Sequence, residues 1–241
     1  MKPDLDDALR IRRHQPTRLE GFIDATFAFA VTLLVISIGH TADSVPEMLH
    51  ALRGVQAFAV CFVLVARLWK AHRDWSRYYD IEDGTTIVLS LALVFVVVIF
   101  VHPLRLLFAL LFVWISAGYL VDQPVGLHDI EELRQAFEVY GVGFAVIAGL
   151  FALLYRHALR RRALIGLDAR EIVATRMHVA LWTALASIAT LSTLCATLVP
   201  RHAEEPFVFT APGMVYALVG IVTPLVRRHY AQQMPALQVS A

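Results

Sequence analysis

Residues 85–101 read TTIVLSLALVFVVVIFV, a run of aliphatic, aromatic and small side chains that contains no charge. A transmembrane helix needs about 20 predominantly apolar residues to cross the hydrocarbon core of a bilayer. The run is followed by His102 and Pro103, and proline is a natural end for a helix. The sequence therefore predicts a membrane-spanning helix here that ends at Pro103.

The rest of the chain has the same character as this run. Of its 241 residues, 58% are hydrophobic and only 17% are charged, which is too apolar for a soluble domain of this size. The apolar residues form long blocks, and helices satisfy their own backbone hydrogen bonds in lipid. The blocks predict an all-α polytopic membrane protein with six spans, at residues 21–40, 48–69, 85–101, 136–155, 179–199 and 209–226. We expect one membrane domain over residues 17–231, with flexible tails at residues 1–16 and 232–241.

Charge predicts the orientation of these spans. With six crossings, 17 of the 21 Lys and Arg residues fall on the side that holds both termini. Because Lys and Arg are retained in the cytoplasm, both termini are predicted to be cytoplasmic in a multi-pass protein of the plasma membrane. A further crossing at the apolar stretch 104–121 would send the basic loop 156–176 outward, so we interpret that stretch as an outer extension of the third helix or an interfacial segment. The formal net charge of +1 argues against nucleic acid as a partner.

Three ionisable residues, Arg18, Glu20 and Asp24, lie at the cytoplasmic end of the first span. A charge within an apolar run is costly unless it has partners or water. Arg18 and Asp24 are six residues apart and do not face each other on one helix, so their partners should come from another helix. Trp69 and His72, three residues apart at the end of the second span, each offer a ring N–H donor. Asp24 accepts from one of them, or the whole set consists of interface anchors, and spacing leaves both interpretations open.

The start of the first span also carries a recognisable motif. Residues 18–24, RLEGFID, followed by ATFAFAVTLL, resemble the RxxxFSD signature that opens the first helix of TMEM175 channels and its FAxxxTLL-like continuation. Trp69 and His72 resemble the WxxH motif that this family carries at the end of helix two. His40 falls where the family often carries a histidine, and Pro103 resembles its stop on helix three. One departure is Ile23, which replaces the usual serine and removes a hydroxyl from the signature network.

This resemblance implies a potassium-permeable channel that assembles as a homotetramer with the first helix lining the pore. The pore residues it implies are Phe29, Thr32 and Ile36, and the signature network it implies is Arg18, Phe22, Asp24, Trp69 and His72, with His40 as a candidate outer-end site. The three pore residues share one helical face, so four copies would stack two apolar rings around a hydroxyl ring. The alternative is that they pack against neighbouring helices, with Thr32 bonded to its own backbone. The expected partners are K⁺, further copies of the chain and the lipid bilayer, with no cofactor.

Other classes of function have less support in the sequence. A secondary transporter would use broken helices and buried carboxylates, and Asp24, as the carboxylate within a span, is the candidate for ion or proton coupling. No GxSxG, HExxH, Walker-type or CxxC motif is present. We therefore expect no enzyme activity, no catalytic residue and no metal site.

Overall fold

The structure is a computed structural model that describes residues 8–36, 44–46, 55–116, 130–198 and 211–238. Every regular element within these ranges is helical, which confirms the all-α prediction. Six main helices follow one another: α1 Arg18–Ile36, α2 Val55–Tyr79, α3 Gly84–Ser116, α4 Ile130–Arg160, α5 Ala169–Leu198 and α6 Leu218–Gln238. A short helix, Arg162–Ile165, lies between α4 and α5, and a 3₁₀ turn, Val215–Ala217, precedes α6.

Five helices in the described part of the chain, α1 to α5, are long and apolar enough to cross a membrane. The sixth predicted span, residues 209–226, is helical from residue 211 but is broken by the 3₁₀ turn. Its second half continues in α6 through Arg227 and Arg228 to Gln238. The multi-span membrane fold is therefore confirmed, and the uninterrupted apolar part of α6 before Arg227 covers only residues 218–226 of the predicted span.

The prediction that Pro103 ends the third helix is wrong. Helix α3 continues through Pro103 to Ser116, so residues 104–116 are an extension of the third helix, one of the two interpretations above. In lipid a backbone group has no water to bond, and an intact helix beyond the proline satisfies more of these groups than an irregular segment would. With 33 residues and a rise of 1.5 Å each, α3 is about 50 Å long, well beyond the roughly 30 Å hydrocarbon core.

Helix α2 also extends beyond its predicted end, by ten residues from Trp69 to Tyr79. The extension is held by aromatic packing, because Trp75 and Tyr79 are both almost completely buried. The Tyr79 ring meets the Trp75 ring at 5.8 Å and the Tyr155 ring of α4 edge-on at 5.8 Å. These contacts tie the end of α2 to α4.

The helices pack as two groups of three. In the first group α1 packs on both α2 and α3, and in the second α5 packs on both α4 and α6, while α3 and α4 join the groups. The closest pairing is between α4 and α5, where Gly141 faces the carbonyl oxygen of Ala189 and the side chain of Thr193. Small residues at such positions let two membrane helices approach closely.

The N-terminal segment, residues 8–16, is packed against the helices instead of forming the flexible tail that we expected. Leu9 is buried in the main core. The backbone N–H groups of Arg12 and Arg13 donate to the carbonyl oxygen of Arg77 at 2.9 and 3.1 Å. This segment therefore lies on the ends of α2 and α5 immediately before the chain enters α1. We call this end of the bundle, where α1, α3 and α5 begin and α2 and α4 end, the basic end.

Candidate functional site: helix α1 and the basic end

Helix α1 buries one face in the core of the helical bundle. Its buried apolar residues are Ile23, Phe27, Ala30 and Leu34, spaced four, three and four residues apart. This spacing keeps them on one side of the helix, where they pack against α2 and α3. The opposite face of α1 is left uncovered by the described part of the chain.

All three predicted pore residues lie on this uncovered face. The side chain of Phe29 is 55% exposed and that of Ile36 is 66% exposed, and Thr32 between them is exposed as well. Phe22, 57% exposed, belongs to the same stripe, because residues seven apart on an α-helix differ by only about 20° around its axis. We call Phe22, Phe29, Thr32 and Ile36 the α1 stripe.

The hydroxyl of Thr32 has a defined orientation. Its Oγ1 donates to the carbonyl oxygen of Ala28 at 3.0 Å, the back-bonded geometry that the alternative interpretation anticipated. Because this bond uses the hydroxyl hydrogen, the lone pairs of the oxygen remain directed away from the bond. On the exposed face, Thr32 therefore offers an oxygen acceptor, which suits a cation and not an anion.

Asp24 and Trp69 connect α1 to α2. The indole N–H of Trp69 donates to Oδ1 of Asp24 at 2.7 Å, so Asp24 accepts from the first of its two predicted donors. The guanidinium of Arg73 lies over the same indole ring, 5.4 Å from its centroid, in cation–π geometry. A charge-assisted hydrogen bond of this length stabilises the pairing of the first two helices.

The second predicted donor, His72, has a different partner. His72 is buried, and its Nε2 lies 2.9 Å from Oγ of Ser90 on α3. Ile23, which stands at the place of the usual serine, is completely buried in the apolar core. The sequence did not identify Ser90. A pattern in the sequence could have found it. His72 and Ser76 on α2 are four residues apart, as are Thr86 and Ser90 on α3, so each pair places polar side chains on one face of its helix, and the two helices run in opposite directions.

The remaining members of the predicted signature network are not brought into it. Arg18 is exposed and has no ion pair within the described residues, and Phe22 lies on the α1 stripe. His40 falls outside the described residues. Glu20 is buried and forms a capping box with Thr17, in which each backbone N–H donates to the other's side-chain oxygen at 3.2 Å. Its role is therefore to begin α1.

A buried ion pair holds the N-terminal segment to α5. The two terminal nitrogens of Arg12 donate to the two carboxylate oxygens of Glu171 at 2.8 and 2.7 Å. The backbone N–H groups of Arg10 and Asp168 also donate to Glu171, at 3.2 and 3.0 Å. The hydrogen bonds from the guanidinium to Glu171 raise the pKa of Arg12 above its ordinary value, although burial opposes the shift. We call this group the Arg12–Glu171 clasp; reading the sequence did not find it, since its partners are 159 residues apart.

A second cluster at the basic end joins α3 to α4. Asp83 caps α3 by accepting from the backbone N–H of Thr86 at 2.9 Å. His157 Nε2 lies 2.9 Å from the Asp83 carboxylate, and Arg161 donates to the same carboxylate at 3.1 Å. Burial acts to raise the pKa of Asp83, but the bonds from Thr86 and His157 outweigh it and hold that pKa below its usual value.

Comparisons with known proteins agree with this architecture. A family model described as endosomal/lysosomal potassium channel TMEM175 matches residues 18–101, which include α1, α2 and the Asp24–Trp69 bond. A potassium channel from Marivirga tractuosa is 28% identical over 200 residues, 81% of this chain and 81% of the relative. A crystal structure of the potassium channel MtTMEM175, a threonine-to-alanine variant in complex with a Nanobody-MBP fusion protein, matches with a TM-score of 0.81 at 26% identity. That match covers 93% of this chain and 97% of the other.

In sequence over residues 18–101, and in structure over nearly its whole length, the chain is similar to TMEM175 channels. A potassium channel from Streptomyces collinus is 29% identical over 172 residues, 68% of this chain and 75% of the relative. The TMEM175 model ends at residue 101, within α3, whereas the structural match covers nearly the whole chain. Helices α4 to α6 are therefore part of the shared TMEM175 architecture, although the recognised signature residues lie in α1 and α2.

Proposed function

We propose that this chain is a potassium-permeable cation channel of the TMEM175 family in the plasma membrane, in which the α1 helices of four subunits surround the pore. Potassium channels are what the names of its relatives describe, and those relatives match most of the chain. The observation that carries the proposal is the α1 stripe. A helix that buries one face in its own subunit and leaves an apolar stripe with one threonine uncovered is suited to line a shared axis.

The geometry of the stripe supports a hydrophobic constriction. Phe29 and Ile36 are seven residues apart, so their rings would lie about 10 Å apart along the axis with Thr32 between them. An apolar ring narrow enough to exclude water opposes ion passage by dewetting. The Thr32 oxygen, with its hydrogen bonded to Ala28, is available to a cation that has lost part of its hydration. One subunit contributes one such helix, so the pore is complete only in an oligomer.

The proposed orientation places the basic end in the cytoplasm, with both termini on that side. The support is the distribution of Lys and Arg, which favours the cytoplasmic side. The N-terminal segment bonded to Arg77 and Glu171 is at the same end of the bundle.

Asp24 gives little support to the alternative of a secondary transporter. A coupling carboxylate near the midplane would need access to the transported ion. Asp24 instead lies in the second turn of α1 at the basic end and accepts from Trp69 of α2. Its geometry favours a role in holding α1 against α2.

Recording from purified protein in planar bilayers under a potassium/sodium gradient tests the proposal. We expect unitary currents with a reversal potential displaced toward that of potassium. Phe29→Asn and Ile36→Asn should raise the current, because each hydrates an apolar ring. Thr32→Ala and Thr32→Val should weaken potassium preference, because both remove the hydroxyl while differing in bulk.

Val35→Asn is the matched control for these variants. Val35 is 50% exposed like Phe29 but lies about 120° away from it around α1, at the edge of the uncovered face. The control should leave conductance unchanged. A raised current in Val35→Asn with no change in Phe29→Asn would mean that another face of α1 lines the pore. Absence of unitary currents in the unmodified protein would refute channel function itself.

A further inference from the structure

Arg18 continues the line of the α1 stripe toward the basic end. It is the first residue of α1 and Ile36 is the last, and their separation of eighteen residues makes five whole turns of an α-helix. The two side chains therefore leave the helix in the same direction, about 27 Å apart along its axis. Phe22 and Phe29 lie within about 40° of that direction. The uncovered face that ends with Ile36 thus begins with a guanidinium group.

The charge of Arg18 is not compensated within the described residues. Its side chain is exposed, and no carboxylate in the described part of the chain forms an ion pair with it. Glu20 is buried in the capping box with Thr17. Asp24 accepts from Trp69 and leaves α1 about 120° away from Arg18. Because an arginine is always protonated in a protein, Arg18 keeps its full positive charge on the uncovered face.

The arginines that precede α1 differ from Arg18 in this respect. Each of them pairs with a carboxylate: Arg10 with Asp168, Arg12 with Glu171, and Arg13 with Asp80 and Glu82. These carboxylates lie at the start of α5 and in the connection between α2 and α3. Within residues 8–36, Arg18 is therefore the arginine whose charge has no counter-charge in the same chain.

We propose that four Arg18 side chains form a ring of positive charge at the basic-end mouth of the pore, and that this ring makes the channel rectify. The inference rests on the proposed function. In four subunits whose α1 stripes face one axis, Arg18 faces that axis as well, about 16 Å from Phe29 toward the basic end. Like charges gathered at a pore mouth repel cations and lower the local concentration of K⁺. The partial positive charge at the N-terminal ends of the four α1 helices adds to this effect.

The ring acts unequally on the two directions of current. K⁺ that enters from the basic end comes from a depleted mouth, whereas K⁺ that enters from the opposite end does not. In symmetrical solutions, the unitary current carried from the basic end should therefore be smaller at equal and opposite voltages. We expect a ratio of about threefold at about 0.01 M salt, where the Debye length is about 30 Å. At about 1 M salt the Debye length is about 3 Å, and the two currents should become equal.

Single-channel recording in planar bilayers with symmetrical potassium chloride tests this inference. Arg18→Gln should remove the asymmetry by raising the current from the basic end. Arg18→Lys should keep the asymmetry, since lysine retains the charge without the hydrogen-bonding geometry of the guanidinium group. Arg162→Gln is the matched control and should also keep it, because Arg162 is exposed at the same end but lies on the short helix between α4 and α5.

Arg18→Cys shows where the charge acts. A thiol reagent that carries a sulfonate, added on the side of the basic end, should reverse the asymmetry, and one that carries a trimethylammonium group should restore it. The unmodified protein, in which Cys61 is buried and Cys195 is half-buried, shows what these reagents do at the other thiols.

Three results would overturn the inference and leave the proposed function intact. The first is a conducting channel with equal currents in both directions at low salt concentration, which would mean that a carboxylate of a neighbouring subunit neutralises Arg18. The second is an asymmetry that persists in Arg18→Gln or that Arg162→Gln also removes. The third needs no variant, and is an asymmetry in the unmodified protein that persists at high salt concentration. Absence of unitary currents in the unmodified protein would refute the channel and this inference with it.

Discussion

Replacing Arg12 with glutamine removes two of the four hydrogen bonds that Glu171 accepts. The carboxylate keeps the backbone N–H groups of Arg10 and Asp168, at 3.2 and 3.0 Å, but loses its counter-charge. The Glu171 side chain is only 1% exposed, so water has little access to the abandoned oxygens. The variant therefore leaves a buried charge that is only partly compensated.

The size of the effect follows from this geometry. Removing one partner of a buried ion pair costs about 3–5 kcal/mol, and the two retained backbone donors place Arg12→Gln near 3 kcal/mol. For a protein of this length that corresponds to a fall of about 6–12 °C in the unfolding midpoint. Glu171→Gln should cost less, because Arg12 is 19% exposed and keeps its bond to the carbonyl oxygen of Tyr78.

The assay is thermal unfolding of the purified protein in detergent, followed by tryptophan fluorescence. Arg10→Gln is the matched control in the same segment, since its ion pair with Asp168 is between side chains that are 73% and 38% exposed. Such surface pairs contribute about 0–1 kcal/mol. The double variant Arg12→Gln/Glu171→Gln should be more stable than Arg12→Gln alone, because no buried charge remains. A double variant less stable than Arg12→Gln, or a control that costs as much, would refute this reasoning.

Three further predictions concern single contacts. Trp69→Phe removes the donor to Asp24 and should destabilise the protein by about 1.5 kcal/mol. Asp24→Asn should lower the yield of folded, correctly assembled protein, measured by size-exclusion chromatography, more than it alters single-channel conductance. Because the pKa of Asp83 is lowered in the folded state, the stability it provides is present above about pH 4 and is lost as the pH falls through its folded pKa. The difference in unfolding midpoint between the unmodified protein and Asp83→Asn should therefore shrink on acidification, and a difference that grows would contradict this. Gly141→Ala should lower the midpoint, since its new Cβ would lie 3.2 Å from a backbone carbonyl oxygen and against a threonine side chain, whereas Gly149→Ala, with no atom within 4 Å, should not.

Local patterns were sufficient for the features that depend on one helix or on neighbouring helices. The Asp24–Trp69 bond could be predicted because a carboxylate in an apolar run needs a donor, and Trp69 lies at the matching end of the next helix. The choice between Trp69 and His72 could not be made from spacing. It depends on the rotation of α2, which is set by the packing of Trp75 and Tyr79 beyond the predicted end of that helix.

Helix ends were predicted less well than helix centres. Pro103 was expected to end α3 because the rule for proline comes largely from helices in water, where a freed carbonyl can bond solvent. In lipid the chain has no such alternative, and α3 continues to Ser116. The N-terminal segment was expected to be flexible because it is a chain terminus, yet its arginines pair with Glu171 of α5 and with Asp80, which directly follows α2.

The sequence by itself determined that this chain is helical, crosses a membrane several times and begins its first span with a motif that resembles the TMEM175 signature. Those properties follow from the length of apolar runs and from residues close together in the chain, so they need no knowledge of packing. Only the tertiary structure decided which face of α1 is left uncovered, that His72 bonds Ser90 and that Arg12 bonds Glu171. Each of these depends on how helices distant in sequence are rotated against one another, and that rotation is set by the combined packing of many side chains.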